Sequence, residues 1–302
     1  MTRIAFEARE REGGKPPKAA FTAALLVRAI GWHLRGSVRL THLAARFMRD
    51  LQAVPVAIDG ATVFLDLRSV FCTDLLLGAR PEPAESALMR RLVKPGDVAL
   101  DVGAYFGLHT VLLSRSVGPS GRVWAFEPSP VVLPCLSRTI SQLGNTELLP
   151  VALAAKRTSA SFIVPSEASA ASLADWTTEP ESSKRRCEVR VECLDRLVQE
   201  GTVARPDFMK CDVEGAEALV FQGAMSVLDR ELAPLLLFEV NPAATAAFGL
   251  TLPTAFSLLR QLGRPKYEMF GLNAQSELYP LEAPPDRLAN VLAVPAAGRA
   301  RL

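Results

Sequence analysis

Residues 98–110 read VALDVGAYFGLHT. Five strand-forming positions run into Gly103 and Gly107, after which the apolar spacing turns helical, so the stretch predicts strand, tight turn and helix. Gly103 permits the turn and a close backbone approach to a ligand, and Gly107 lets the helix sit near the strand. The spacing is D-x-G-x-x-x-G, not the G-x-G-x-x-G of dinucleotide binders. An acid two residues before the first glycine, Asp101, suits a ligand carrying a cationic amino group better than an anionic phosphate.

Outward from there, Val123-Trp124-Ala125-Phe126-Glu127-Pro128 is a buried strand ending in an acid, Glu127, 26 residues after Asp101. A carboxylate at the tip of the second strand is where a ribose diol is held by two hydrogen bonds. Taken singly, Glu127 reads as a surface acid at a strand end; with the glycine turn it points to an adenosine-bearing cofactor, S-adenosylmethionine. A third element, Phe208-Met209-Lys210-Cys211-Asp212-Val213-Glu214-Gly215-Ala216-Glu217, packs charges just past another strand. Asp212 and Glu214 are expected in the crevice at the carboxyl ends of the strands, with Glu239 at the matching place on the next strand. Asp212 is the candidate proton acceptor or orienting group, and His109 the second candidate. Lys210 is read either as the ion-pair partner of a neighbouring carboxylate or as catalytic, and Glu217 as complementing a helix dipole. No metal motif is present, yet Asp212, Glu214 and Glu239 together offer the oxygen ligands that Mg²⁺ takes.

Around these motifs strands are expected at 98–102, 122–127, 147–153, 207–212 and 235–240, with helices at 106–116, 130–143, 215–229 and 253–262. That alternation implies a mainly parallel sheet covered on both faces. Residues 161–164 and 188–192 read as strands flanking a polar surface loop, and 267–270 and 289–294 as two closing strands. Asp59-Gly60 between short apolar runs predicts a hairpin, and PEPAESALMRRLV a helix after it. The chain of 302 residues thus divides into a basic helical extension (1–53), a hairpin with linking helix (54–95) and the main domain (96–302).

A net charge of +2 argues against a nucleic-acid binder. The basic excess is local: residues 1–54 hold ten Lys and Arg against four acids. An amphipathic segment there, with Arg39, His42, Arg46 and Arg49 on one stripe, is read as an accessory helix, or as a peripheral contact to a membrane or protein. Five cysteines without metal-ligand spacing, no secretory leader and no long apolar run give the expectation of a reduced, cytoplasmic protein.

DVGAYFGLHT, VWAFEPSP, LDRL, DFMKCDVEGAEALVFQGA and LLLFEV together resemble the FkbM-type S-adenosylmethionine-dependent methyltransferases over about residues 55–295. The resemblance implies a doubly wound, Rossmann-like α/β sheet with an antiparallel last strand, and O-methylation of a hydroxyl on a sugar, polyketide or other small metabolite. It implies cofactor contacts at Asp101, Gly103, Gly107 and Glu127, and the same turns bring Ala104, Tyr105, Pro128 and Asp212 to the cofactor. Tyr105 stands where members often carry Asn. That departure keeps a non-catalytic binding or scaffolding protein as the alternative. A nucleotide-dependent oxidoreductase is disfavoured by the glycine spacing and by the lack of a Tyr/Lys or His proton relay.

Overall fold

The computed structural model describes Ala45, Phe47 and residues 49–302 apart from Leu77 and Arg80. The expected basic helical extension therefore lies almost wholly outside the described residues. The hairpin forms as its sequence dictates: β1 (Val54–Ile58) and β2 (Ala61–Leu65) pair antiparallel, and Asp59 (φ 50°) and Gly60 (φ 75°) take the two left-handed positions of the turn. Helix α1 (Val70–Leu76), which no sequence signal marked, and α2 (Pro83–Leu92) lead into the main sheet.

In chain order β3 (Val98–Val102), α3 (Leu108–Val117), β4 (Arg122–Phe126), α4 (Leu133–Ile140) and β5 (Thr146–Leu149) build one half of that sheet. The expected strand 147–153 is broken at Pro150: β6 (Ala152–Leu153) leaves for a small second sheet, where it pairs with β8 (Arg185–Glu192), itself antiparallel to β7 (Thr158–Val164). After α5 (Leu194–Gln199) come β9 (Phe208–Cys211), α6 (Glu217–Gln222), α7 (Met225–Leu228), β10 (Leu235–Val240), α8 (Pro242–Ala247), α9 (Pro253–Gln261), β11 (Glu268–Leu272), β12 (Leu278–Pro280) and β13 (Ala289–Val294). The single helix expected at 215–229 is two, because the chain bends at Gly223, where a Cβ would lie 2.1 Å from the Ala154 carbonyl oxygen.

The large sheet has the order β12-β11-β13-β10-β9-β3-β4-β5. Strands β5, β4, β3, β9 and β10 are parallel, and β13 runs antiparallel between β10 and β11. This is a doubly wound α/β sheet with an antiparallel last strand, and its order reverses between β3 and β9. Such a reversal opens a crevice at the carboxyl ends of the strands.

Strand alternation decides what each face holds. Leu100, Val102, Met209, Cys211, Leu236 and Phe238 pack with Phe221 and Phe256 on one face. The other face takes Ala99, Phe208, Leu235 and Leu237 against Leu88, Met89, Leu112 and Leu113 of α2 and α3. By the same alternation Asp101, Lys210 and Glu239 fall on this second face, beyond its apolar part, with Asp101 and Lys210 in direct register. The hairpin covers α4: Phe64 N donates to Thr139 Oγ1 at 3.0 Å, and the Arg138 guanidinium sits 4.0 Å above the Phe64 ring.

Candidate active site

Two turns meet where the sheet order reverses. At the end of β3, Gly103 (φ 85°) lies so close to the turn after β9 that a Cβ on it would be 1.8 Å from the Asp212 carbonyl oxygen. Its amide and that of Ala104 both donate to the Phe126 carbonyl at 3.0 Å, tying the turn to β4. Tyr105 follows with φ 51°, a left-handed conformation costly for a bulky residue. Its amide donates to Glu127 Oε2 at 2.9 Å, and Ser129 N donates to Glu127 Oε1 at 2.8 Å. Each oxygen of this buried carboxylate accepts one amide and keeps further acceptor capacity. Burial outweighs these two amides and raises Glu127 to about 7.

A cavity of about 220 Å³ opens over these turns. Gly103, Ala104, Tyr105, His109, Glu127, Pro128, Lys210, Asp212, Glu214 and Glu239 all line it. Two of the expected cofactor contacts do not. Asp101 is fully buried beneath the cavity floor, with Oδ2 accepting from Thr110 Oγ1 at 2.5 Å and Oδ1 unpaired. It sits inside β3 rather than at its tip, so its carboxylate turns onto α3. Gly107 serves packing: a Cβ there would meet Leu136 at 2.9 Å.

Lys210 is the electrostatic centre. The residue is 5% exposed, and its ammonium donates to Asp212 Oδ2 at 2.8 Å. Burial opposes its charge, but the carboxylates of Asp212, Glu82 and Asp101 prevail and hold its pKa above the ordinary lysine value. Beyond this pair the site is acidic. Burial first, then the charges of Asp212 and other carboxylates, pushes Glu214 up to about 8 and Glu239 up to about 9. Glu214 (φ 53°) accepts from Asn241 Nδ2 at 3.1 Å, whereas Glu239 Oε2 is buried without a partner. Asp212, Glu214 and Glu239 each place an oxygen within 4.8 Å of the others, a set that could hold a divalent cation, although Lys210 already neutralises part of its charge. Glu217 plays a different part, folding back so that Oε1 accepts from Val213 N and Gly215 N and fixes the turn.

Several lining residues carry no clear signal in the sequence. Glu82, in the run Pro81-Glu82-Pro83, is held at φ 50° and turns its side chain into the cavity instead of capping α2. His109 Nε2 lies 3.2 Å from Glu82 Oε2, but burial and the Lys210 charge keep the imidazole neutral, so this is no ion pair. The long insertion also reaches the site. Glu167 accepts from Ser69 Oγ (2.7 Å), the Val70 amide (2.8 Å) and the Tyr105 hydroxyl (3.3 Å), and Ser172 Oγ donates to the Glu214 carbonyl at 2.9 Å. An acid between two prolines ahead of a helix is the one usable signal for Glu82. Nothing local marks Glu167.

The family model described as the methyltransferase FkbM domain matches residues 101–265. The hexuronic acid methyltransferase AglP of Haloferax volcanii is 28% identical over 132 residues, which cover 44% of this chain and 52% of that protein. The chain thus spans about half the length of that curated relative. Among solved structures, a SAM-dependent O-methyltransferase from Thermotoga maritima matches at 13% identity and a TM-score of 0.40, covering 80% of this chain and 76% of that one. Fibrillarin of Aeropyrum pernix, with natively bound S-adenosyl-L-methionine, matches at 14% identity and a TM-score of 0.38, covering 70% and 73%.

Proposed function

Because the chain belongs to the FkbM methyltransferase family and S-adenosylmethionine is its cofactor, we propose that it methylates a hydroxyl group of a small sugar-like or polyketide metabolite. When bound, S-adenosylmethionine supplies a methyl group on a sulfonium, a carbon open to in-line attack by an acceptor oxygen. Everything else falls to positioning and proton handling by the chain.

The observation that carries this reading is the contact between the two turns. Gly103 presses against the Asp212 backbone, so a ligand held at the first turn faces the Lys210–Asp212 pair on the second. In the proposed site the amides around Gly103–Tyr105 and the Glu127 carboxylate hold the nucleoside, with Glu127 accepting from the ribose hydroxyls and Pro128 shaping the wall beside it. Asp212 orients the acceptor hydroxyl and takes its proton as the new C–O bond forms and the C–S bond breaks. Lys210 keeps Asp212 in place, His109 is the second candidate for the proton, and Glu214 and Glu239 border the acceptor. Asp101 supports the floor through Thr110 rather than touching cofactor. Residues 96–302 are proposed as the transferase domain. No helix among the described residues is long and apolar enough to cross a membrane; a cytoplasmic setting is part of the proposal.

The test is calorimetric titration with S-adenosylmethionine, S-adenosylhomocysteine and NAD, followed by transfer of labelled methyl groups to a panel of hydroxyl acceptors. Binding of the adenosyl ligands alone, with label appearing in base-stable ethers, is the expected result. Binding of NAD instead, or label found only in base-labile esters or on nitrogen, overturns it.

A further inference from the structure

The charge carried by the cavity wall speaks to the acceptor, an inference that rests on the methyltransferase reading. Five carboxyl groups line the cavity (Glu82, Glu127, Asp212, Glu214 and Glu239), and Lys210 is the one cationic side chain among the described residues that does so. Lys210 is already engaged, its ammonium bonded to Asp212 at 2.8 Å. S-adenosylmethionine brings one net positive charge, from a sulfonium, an ammonium and a carboxylate, and cannot pair with all of these groups. They are most crowded at Asp212, Glu214 and Glu239, which hold oxygens within 4.8 Å of one another, and Glu239 Oε2 is buried with no partner. A second unsatisfied group faces the same space. His109 is 8% exposed and lines the cavity, and its Nε2, although 3.2 Å from Glu82 Oε2, makes no well-aligned hydrogen bond.

We propose that the acceptor carries a protonated amine near the hydroxyl that is methylated, as an amino sugar does, and that Glu214 and Glu239 receive that amine. An ammonium donates three hydrogen bonds and accepts none, which matches a wall that offers carboxylate oxygens and a neutral imidazole. Carboxyl groups crowded this closely in a buried wall ionise only against mutual repulsion, and a cation placed between them removes that opposition. A uronic acid presents the opposite case. Its carboxylate finds no free cation among the described lining residues and would meet the acidic group directly. The acceptor inferred here therefore differs in charge from the hexuronic acid in the name of the Haloferax volcanii relative.

The experiment uses the full chain saturated with S-adenosylhomocysteine and compares, by calorimetry, the methyl glycosides of glucosamine, glucose and glucuronic acid at pH 7 with EDTA present. The aminated glycoside is expected to bind at least about tenfold more tightly than the neutral one, with the uronide weakest. Equal affinities, a uronide that binds best, or no binding of any of the three overturns the proposal. Failure of S-adenosylhomocysteine itself to bind would sink the methyltransferase reading instead. Glu239→Gln and Glu214→Gln are expected to shrink the advantage of the aminated glycoside toward parity, with S-adenosylhomocysteine affinity reporting that each variant is folded. An advantage unchanged in both variants counts against the assignment. So does a reversal of the order when EDTA is replaced by millimolar Mg²⁺, because the metal would then be the occupant of these carboxylates.

Discussion

The turn after β3 and the turn after β9 touch, yet they are built on different principles. The first is a backbone device: Gly103 sits in left-handed space, its amide and that of Ala104 share the Phe126 carbonyl, and Glu127 fixes the Tyr105 amide. The second is a charge device. Glu217 folds back onto the Val213 and Gly215 amides, Glu214 is held left-handed, and Asp212 is bound by Lys210. Sterics leave Gly103 no tolerance and lock Gly215 of the second turn as well, where a Cβ would lie 2.4 Å from the Ala244 backbone, but the charged side chains of the second turn can change at an electrostatic cost.

Breaking the first turn has the largest effect. Gly103→Ala places a methyl group 1.8 Å from the Asp212 carbonyl oxygen and forces an alanine to φ 85°. Neither neighbour is a flexible side chain, so the loss of stability is expected to exceed about 4 kcal/mol. Urea denaturation measures it, and a loss under about 1 kcal/mol would show the two turns to be less tightly joined than described. Breaking the second turn comes next. Lys210→Met removes the cation shared by Asp212, Glu82 and Asp101, and a broken buried pair costs about 3–5 kcal/mol. Lys210→Arg keeps the charge and is expected to recover part of the stability. If Met were as good as Lys, the pair would matter little and Asp212 would need another partner.

The same contrast explains what the sequence discloses. The glycine turn is legible because Gly103 and Gly107 answer local geometric needs that a glycine alone meets, and because period-two alternation is a short-range signal. The strands that hold Asp101 and Glu239 therefore fall at their expected bounds. That Lys210, Asp212, Glu214 and Glu239 share one cavity follows from their place at strand ends. Which of them pair does not, because pairing depends on the register of β3 with β9 and on Glu82, which arrives from the start of α2. Asp101 reads as a ligand contact from its spacing, but its position one residue before the strand end sends it to Thr110. Glu167 reaches Tyr105 from 62 residues away, a distance over which spacing carries no information.

Smaller effects sharpen the comparison. Glu127→Gln is expected to weaken S-adenosylhomocysteine binding about tenfold to a hundredfold, since a charge-assisted hydrogen bond contributes roughly 1.5–3 kcal/mol. Its pH dependence separates charge from shape. With Glu127 raised from 4.5 to about 7 by burial, the folded protein holds this proton more tightly than the unfolded chain does. Its contribution to stability is therefore present below pH 4.5 and lost as pH rises to about 7, and the neutral Gln variant lacks that decline. Affinity for the ribose hydroxyls runs the other way, rising from about pH 6 to about pH 8 as the carboxylate ionises in the native protein, and staying flat in Glu127→Gln.

The smallest effect tests whether Tyr105 belongs to the backbone device or replaces a cofactor contact. Its amide serves the turn, its ring packs edge-on to Phe71 and Phe106, and its hydroxyl bonds Ser69, just before α1, and Glu167 of the insertion. Tyr105→Phe keeps the first two and loses only the third, so a stability change of about 1 kcal/mol is expected. If the hydroxyl serves these two partners alone, S-adenosylhomocysteine affinity stays within about threefold of the parent. A loss of affinity much greater than the loss of stability would mean that the hydroxyl reaches the cofactor. The first turn would then depend on a side chain as the second does, and the division between the two would fail at this residue.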